Sequence, residues 1–242
     1  MWGIVPAAGV GSRIQPLAFS KELLPVYGEQ RKPRAVSDYL VERMVLAGAE
    51  NICFVISAGK SDIMEYYGGT AYSAPLCYVI QPEPVGLCDS LFRALPVIDR
   101  HSPVLIGLPD TIWYPESGFS DLPDDRFSFL LFPVERPEFF DAVLIDDNDR
   151  VIEVRVKHPT PGTHWVWGAF KMPGSVFEEL FQFWCARGRT DEYVGTLVNA
   201  WIAQGGTAYG CRTGERYFDV GTMDGYMQAM LTLQMREESI AR

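Results

Sequence analysis

The stretch Trp2-Gly3-Ile4-Val5-Pro6-Ala7-Ala8-Gly9-Val10-Gly11-Ser12-Arg13 is an apolar run that ends in a glycine-rich turn and a basic residue. Gly3-Ile4-Val5-Pro6-Ala7 reads as a short buried strand. Two glycines in the turn let backbone N–H groups come close to an anion and point at it. Arg13 adds a planar fork suited to phosphate oxygens. A strand followed by such a turn is the usual opening of an α/β domain, and the segments around it bear this out.

Downstream, apolar Val36, Leu40, Met44 and Leu46 fall on roughly one helical face, and Gly48 is placed to stop the helix. Strand Ile52-Cys53-Phe54-Val55-Ile56, a short helix over 63–67, a strand over 76–80, a helix over 86–95 and a strand over 104–108 follow. This alternation predicts a largely parallel sheet covered on both faces. After residue 126 the character changes. An apolar strand over 127–134 precedes a hairpin, 142–145 and 151–156, joined by Asp146-Asp147-Asn148-Asp149. A strand over 165–172, helices over 176–186 and 193–203, a strand over 207–211 and a helix from Met223 complete the pattern. With no repeat and no evident linker, the simplest reading is one domain over 1–242. Within it, about 1–125 form a nucleotide-binding half and about 126–242 an acceptor-binding half.

The chain of 242 residues carries a net charge of −10, which argues against nucleic acid or an anionic membrane as partner. Any phosphate site must then be local. No apolar run approaches the ~20 residues that span a bilayer, and no basic leader or cleavage site precedes Trp2-Gly3-Ile4-Val5. Five scattered cysteines without a Cys-x-x-Cys pair fit reduced thiols and a cytoplasmic protein. The three histidines show no metal-ligand spacing.

The turn fails two phosphate fingerprints. Gly-x-Gly-x-x-Gly requires glycine where Ile14 stands, and no Gly-x-x-x-x-Gly-Lys-Ser/Thr occurs. A Gly-x-Gly turn is also found in ordinary tight turns, so the phosphate reading leans on Arg13 and on Lys21. Pro6-Ala7-Ala8-Gly9-Val10-Gly11-Ser12-Arg13, taken with Ser20-Lys21-Glu22-Leu23-Leu24-Pro25-Val26, resembles the signature of sugar-nucleotide pyrophosphorylases. Among these it is most similar to the glucose-1-phosphate thymidylyltransferases. The resemblance spans Ile4 to about Ala229. It implies a Rossmann-like, three-layer α/β nucleotidyltransferase fold with a mixed, mostly parallel central sheet. It also implies that Ala8, Gly9, Gly11 and Ser12 wrap the phosphates of an NTP, while Arg13 and Lys21 stabilise the leaving pyrophosphate. Members of the family usually run longer at the C-terminus, which leaves open whether copies of this chain form the family's homo-oligomer.

Gln81-Pro82-Glu83-Pro84-Val85-Gly86-Leu87 resembles the family's base-recognition segment. A Gln amide can read a pyrimidine edge, and Gly86 would let the base lie against the backbone. Asp110 closes the run Leu105-Ile106-Gly107-Leu108-Pro109-Asp110 at the strand end where parallel sheets bind ligands. Read alone it is equally a strand cap. The family has an Asp here, usually within Gly-Asp-Asn, and a second in Trp-x-Asp-x-Gly-Thr, matched by Tyr217-Phe218-Asp219-Val220-Gly221-Thr222. The resemblance therefore implies Mg²⁺ on Asp110 and Asp219. Mg²⁺ is often held by one or two carboxylates with phosphate and water.

Lys157, in Val156-Lys157-His158-Pro159, falls where the family has Glu-Lys-Pro, and the resemblance assigns it to the acceptor phosphate. The family Glu that binds sugar hydroxyls is Val156 here. A close-approach Gly of the family is Asp141, in Phe140-Asp141-Ala142-Val143. Gly168 matches a Gly near the sugar. Trp165 and Trp167 suit either that site or the strand core. These departures predict an acceptor other than glucose 1-phosphate: a differently substituted sugar phosphate, or one with an amine facing Asp141. Glu153 is an alternative source of the sugar contact. The chemistry implied is attack of the acceptor phosphate on an NTP, dTTP or UTP before others. Two alternatives stand beside it: transfer to a non-sugar phosphorylated acceptor, as in cytidylyltransferases, and a non-catalytic nucleotide-sugar-binding module.

Overall fold

The computed structural model describes residues 1–27 and 32–240. Its centre is a sheet of ten strands in which Trp2–Pro6 lies in the middle. That strand runs parallel to Asn51–Ile56 on one side and to Val104–Gly107 on the other, with Ile4 opposite both Cys53 and Ile106. Ala74–Ile80 extends the parallel set, with Cys53 beside Cys77. Trp165–Met172 then joins Val104–Gly107 in the antiparallel sense and brings in Phe127–Pro133 and the hairpin Asp141–Ile145/Val151–Val156. The sheet is mixed around a parallel core: the alternation of elements predicts the parallel part, and the mixed order is the one the family resemblance implies.

Alternating side chains face opposite ways along a strand, and the core divides accordingly. Ile4, Val55 and Ile106 point into one apolar layer with Phe177, Leu180 and Trp184 of the helix Gly174–Ala186. Their neighbours Val5, Phe54 and Leu105 point into another with Leu40 and Met44 of the helix Val36–Leu46. Helices on both faces of one sheet make the three layers. The predicted stop at Gly48 holds: it takes φ +93 and its N–H closes onto the Val45 carbonyl. The helix expected over 86–95 is regular only over Leu87–Phe92. Ahead of Pro96, Ala94 and Leu95 tighten to three-residue bonds onto Leu91 and Phe92.

Two small sheets went unread in the sequence. Pro25–Tyr27 pairs with Pro33–Ala35, and Thr111–Tyr114 pairs with Arg216–Asp219. A third apolar cluster, including Ile14, Val26, Tyr39, Ile112 and Leu233, binds these pieces and the helix Met223–Ile240 to the body. No helix among the described residues is long and apolar enough to cross a membrane.

Candidate active site

The glycine-rich turn leaves the sheet between two neighbouring strands and forms one wall of a cleft of about 460 Å³. Gly11 has φ +70, and a Cβ there would meet Lys21 Cδ at 2.6 Å. Glycine is needed for both reasons: the left-handed turn, and passage of the Lys21 side chain across it. Lys21 Nζ then donates to Asp110 Oδ2 at 2.6 Å. Gly9 has open space on its free face.

Beneath the turn lies a support that the sequence does not announce. Glu22 is fully buried, and Lys60, 8% exposed, donates to both its carboxylate oxygens at 2.8 and 2.7 Å. Lys60 also donates to the Ala7 carbonyl at 2.7 Å. One buried ion pair thus ties the base of the turn to the segment that carries Lys21. Burial raises the Glu22 carboxyl against the pull of Lys60 and Lys21, and lowers the Lys60 ammonium against the pull of Glu22.

Asp110 and Asp219 are far apart in sequence and adjacent in space because of strand pairing. Thr111 lies opposite Asp219, and the Val220 N–H donates to the Asp110 carbonyl at 2.9 Å. Both carboxylates converge on Gly221, where a Cβ would stand 2.6 Å from Asp110 Oδ2 and 2.9 Å from Asp219 Oδ1. Arg13 donates to Asp219 Oδ2 at 2.7 Å. Two cations and two carboxylates therefore sit together, paired crosswise between the turn and the small sheet. The two acids differ. Burial pushes Asp110 up, but Lys21 and Arg13 outweigh it and hold it below the usual range. Asp219 is raised by burial and by the Asp110 charge, which Arg13 only partly offsets.

Along the cleft, Gln81 is 2% exposed and its amide nitrogen donates to Asp89 at 2.8 Å and to the Gly86 carbonyl at 3.3 Å. Arg93 grips the same Asp89 carboxylate through Nε and Nη2 at 3.2 and 3.1 Å. Gly86 adopts φ +117, and a Cβ would strike the Glu192 backbone at 2.8 Å. Its glycine requirement is met by that packing, before any base is considered.

At the far end, Asp141, Lys157, Trp167 and Tyr193 line the wall. Lys157 has φ +43, its N–H donates to the Phe140 carbonyl at 3.1 Å, and Nζ stands 5.0 Å from the Tyr193 ring centroid. Burial raises the Asp141 carboxyl, against Lys157 and Trp167, which favour its charged form.

Of the residues singled out in the sequence, Gly9, Gly11, Ser12, Arg13, Lys21, Gln81, Gly86, Asp110, Asp141, Lys157 and Asp219 all line this one cleft. Two do not. Ala8 is buried behind the turn at 2% exposure. Gly168 lies under the Tyr217 ring, which occupies the space a Cβ would need, so its role is to seat Tyr217, itself a lining residue. Val156 is turned onto Gly195 and is not among the lining residues. Glu153 pairs with Arg155 at 2.9 Å and stands outside the cleft. Trp167 lines the cleft, whereas Trp165 does not.

Residues 2–236 match the family model for nucleotidyl transferases. The chain belongs to the nucleotidyl transferase family. A glucose-1-phosphate thymidylyltransferase of Mycolicibacterium smegmatis is 26% identical, over 98% of this chain and 84% of its own length. One from Neisseria meningitidis is 29% identical, over 68% of this chain and 58% of its own. UTP-bound UGPase from Acinetobacter baumannii superposes with a TM-score of 0.78 at 19% identity, covering 99% of this chain and 98% of that one. At that identity the likeness concerns the fold, the nucleotidyltransferase fold expected from the sequence.

Proposed function

We propose that this nucleotidyltransferase moves a nucleoside monophosphate from UTP or dTTP to a sugar 1-phosphate and releases pyrophosphate. The observation that carries the reading is the crosswise pairing of Arg13 and Lys21 with Asp219 and Asp110 beside the Gly9–Ser12 turn, in a cleft that ends at Lys157. The names of the relatives point the same way. On this reading residues 1–125 supply the nucleotide half and 126–242 the acceptor half of a single domain.

The reaction is an in-line displacement. An oxygen of the acceptor phosphate forms a bond to the α-phosphorus, and the α–β bridging P–O bond breaks with its electron pair leaving on pyrophosphate. A phosphate dianion needs no protein base near neutral pH, so catalysis is positioning and electrostatics. The turn N–H groups hold the NTP phosphates, and Arg13 and Lys21 take up charge that grows on the leaving group. Lys157 holds the attacking phosphate. Two carboxylates converging on one point are hard-oxygen donors that fit Mg²⁺ completed by phosphate and water. Held by Asp110 and Asp219, the ion would neutralise and orient the α-phosphate. Arg13 and Lys21 then release those carboxylates and turn to phosphate oxygens.

Base choice follows from Gln81. Asp89, held by Arg93, can only accept, so it fixes which way the amide faces. With the amide nitrogen committed to Asp89 and Gly86, Oε1 is left to accept from the base. Uracil and thymine offer an N3–H; cytosine presents a lone pair there. UTP and dTTP are therefore preferred to CTP.

Pyrophosphate release over a matrix of NTPs and phosphorylated acceptors tests the reading. Release from UTP or dTTP that requires both Mg²⁺ and a sugar 1-phosphate is the expected result. Turnover with ATP alone overturns the base assignment, turnover only with non-sugar phosphates overturns the acceptor, and nucleotide binding without turnover overturns catalysis.

A further inference from the structure

Among the described residues, two polar atoms of the cleft wall are buried with no hydrogen-bond partner: the Ser90 hydroxyl beside Gly86 and Leu87, and the indole nitrogen of Trp167. The Trp167 ring is 5% exposed and fixed by Phe170 and Phe129, with centroids 5.5 and 6.1 Å away. Unlike a hydroxyl, an indole N–H cannot rotate to find an acceptor. Leaving a buried donor this way is costly, and the cost is removed when a ligand supplies the acceptor.

The acid next to it is Asp141. Ala142 pairs with Val166 across antiparallel strands, which sets Asp141 opposite Trp167. The Trp167 N–H lies close enough to favour the Asp141 carboxylate, yet outside hydrogen-bond geometry. Lys157 flanks the carboxylate from the neighbouring strand, where Val156 is the residue opposite Asp141. A fixed donor without a partner and an acceptor-only carboxylate thus stand side by side on the acceptor wall.

We infer that Asp141 and Trp167 together clamp one ring hydroxyl of the acceptor. The inference rests on the proposed reading of that acceptor as a sugar 1-phosphate. A hydroxyl satisfies both groups at once: its hydrogen goes to Asp141 and its lone pair takes the Trp167 N–H. An ammonium has no lone pair, leaves the indole unpartnered and adds a second cation beside Lys157. The structure therefore favours a hydroxyl over the amine that the Asp141 substitution alone would suggest.

The test uses glucose, galactose and mannose 1-phosphates, with monodeoxy and monoamino analogues of whichever is turned over best. The wild-type protein should lose at least about tenfold in kcat/KM for deoxygenation at one ring position, and lose again when an amine replaces that hydroxyl. Trp167→Phe keeps a ring in place and removes the N–H; Asp141→Asn keeps the shape and removes the charge. Each should shrink the penalty at that same position and no other. Calorimetric UTP affinity should stay at the wild-type value in both, which separates a lost clamp from a damaged fold. Equal tolerance of every deoxy analogue, a positional penalty unchanged in both variants, or better use of the amino analogue overturns the clamp alone. If no sugar 1-phosphate is turned over while another phosphorylated compound is, the sugar reading falls and the clamp with it.

Discussion

The two ends of the cleft are built on opposite principles. At the nucleotide end the charges of the described site residues are already paired: Lys21 with Asp110, Arg13 with Asp219, and Lys60 with Glu22 beneath them. At the acceptor end a buried indole N–H has no partner among the described residues, and a half-buried carboxylate is held by Lys157 and that misaligned donor. The first arrangement keeps cations and acids in place before substrate arrives and trades partners when phosphate enters. The second leaves recognition groups waiting, so a ligand that fails to match them gains little. Fixed charge suits chemistry common to a family, whereas unmet polar groups suit selection of one acceptor.

The largest effect that would break this contrast is at its base. Lys60→Met strands a fully buried Glu22 and should cost about 3–5 kcal/mol of stability. Urea unfolding of the whole chain measures it, and a loss below about 1 kcal/mol would show that the pair does not hold the turn. Next come Asp110→Asn and Asp219→Asn. Each should nearly abolish turnover with the fold unchanged by circular dichroism, because an amide is a neutral and poorer Mg²⁺ ligand. Retention of more than about a tenth of the activity, a barrier change under ~1.4 kcal/mol, would remove that residue from the essential set.

Smaller effects sharpen the comparison. Asp89→Ala frees the Gln81 amide to flip, so the preference for UTP over CTP should shrink severalfold while UTP turnover changes less. An unchanged UTP:CTP ratio would mean that Gln81 is oriented by something else. At the acceptor end, protonating Asp141 removes the stronger acceptor, and burial places that titration above the ordinary Asp range. Acceptor kcat/KM should therefore fall as the pH drops through this raised value. The acid limb should move to still higher pH in Lys157→Ala, because Lys157 favours the charged form. A limb that does not move would detach Lys157 from Asp141.

How far the sequence foretold the site follows the same divide. The turn was legible because strand, glycines and Arg13 are contiguous, and local rules govern them. Family membership and the class of chemistry agree with the matching family model. The closeness of Asp110 and Asp219 was implied only by resemblance. It depends on the pairing of Thr111–Tyr114 with Arg216–Asp219, two four-residue strands too short to show a periodicity. Nothing local in the sequence marks the contact of Lys60 with Glu22, 38 residues away. At the acceptor end, strand alternation could not say that Val156 packs on Gly195, that Tyr217 covers Gly168, or that Trp167 is core on one side and cleft wall on the other.

The division of labour between the two ends is tested most directly by steady-state kinetics of Arg13→Ala and Lys157→Ala, each measured with both substrates varied. Arg13 meets charge that grows on the leaving group, so its loss should lower kcat more than it raises the KM for NTP, with the acceptor KM little changed. Lys157 meets the acceptor phosphate in the ground state as well, so its loss should raise the acceptor KM and leave UTP affinity at the wild-type value. If the two variants show the same pattern, or if Lys157→Ala weakens UTP while sparing the acceptor, the cleft is not divided as described.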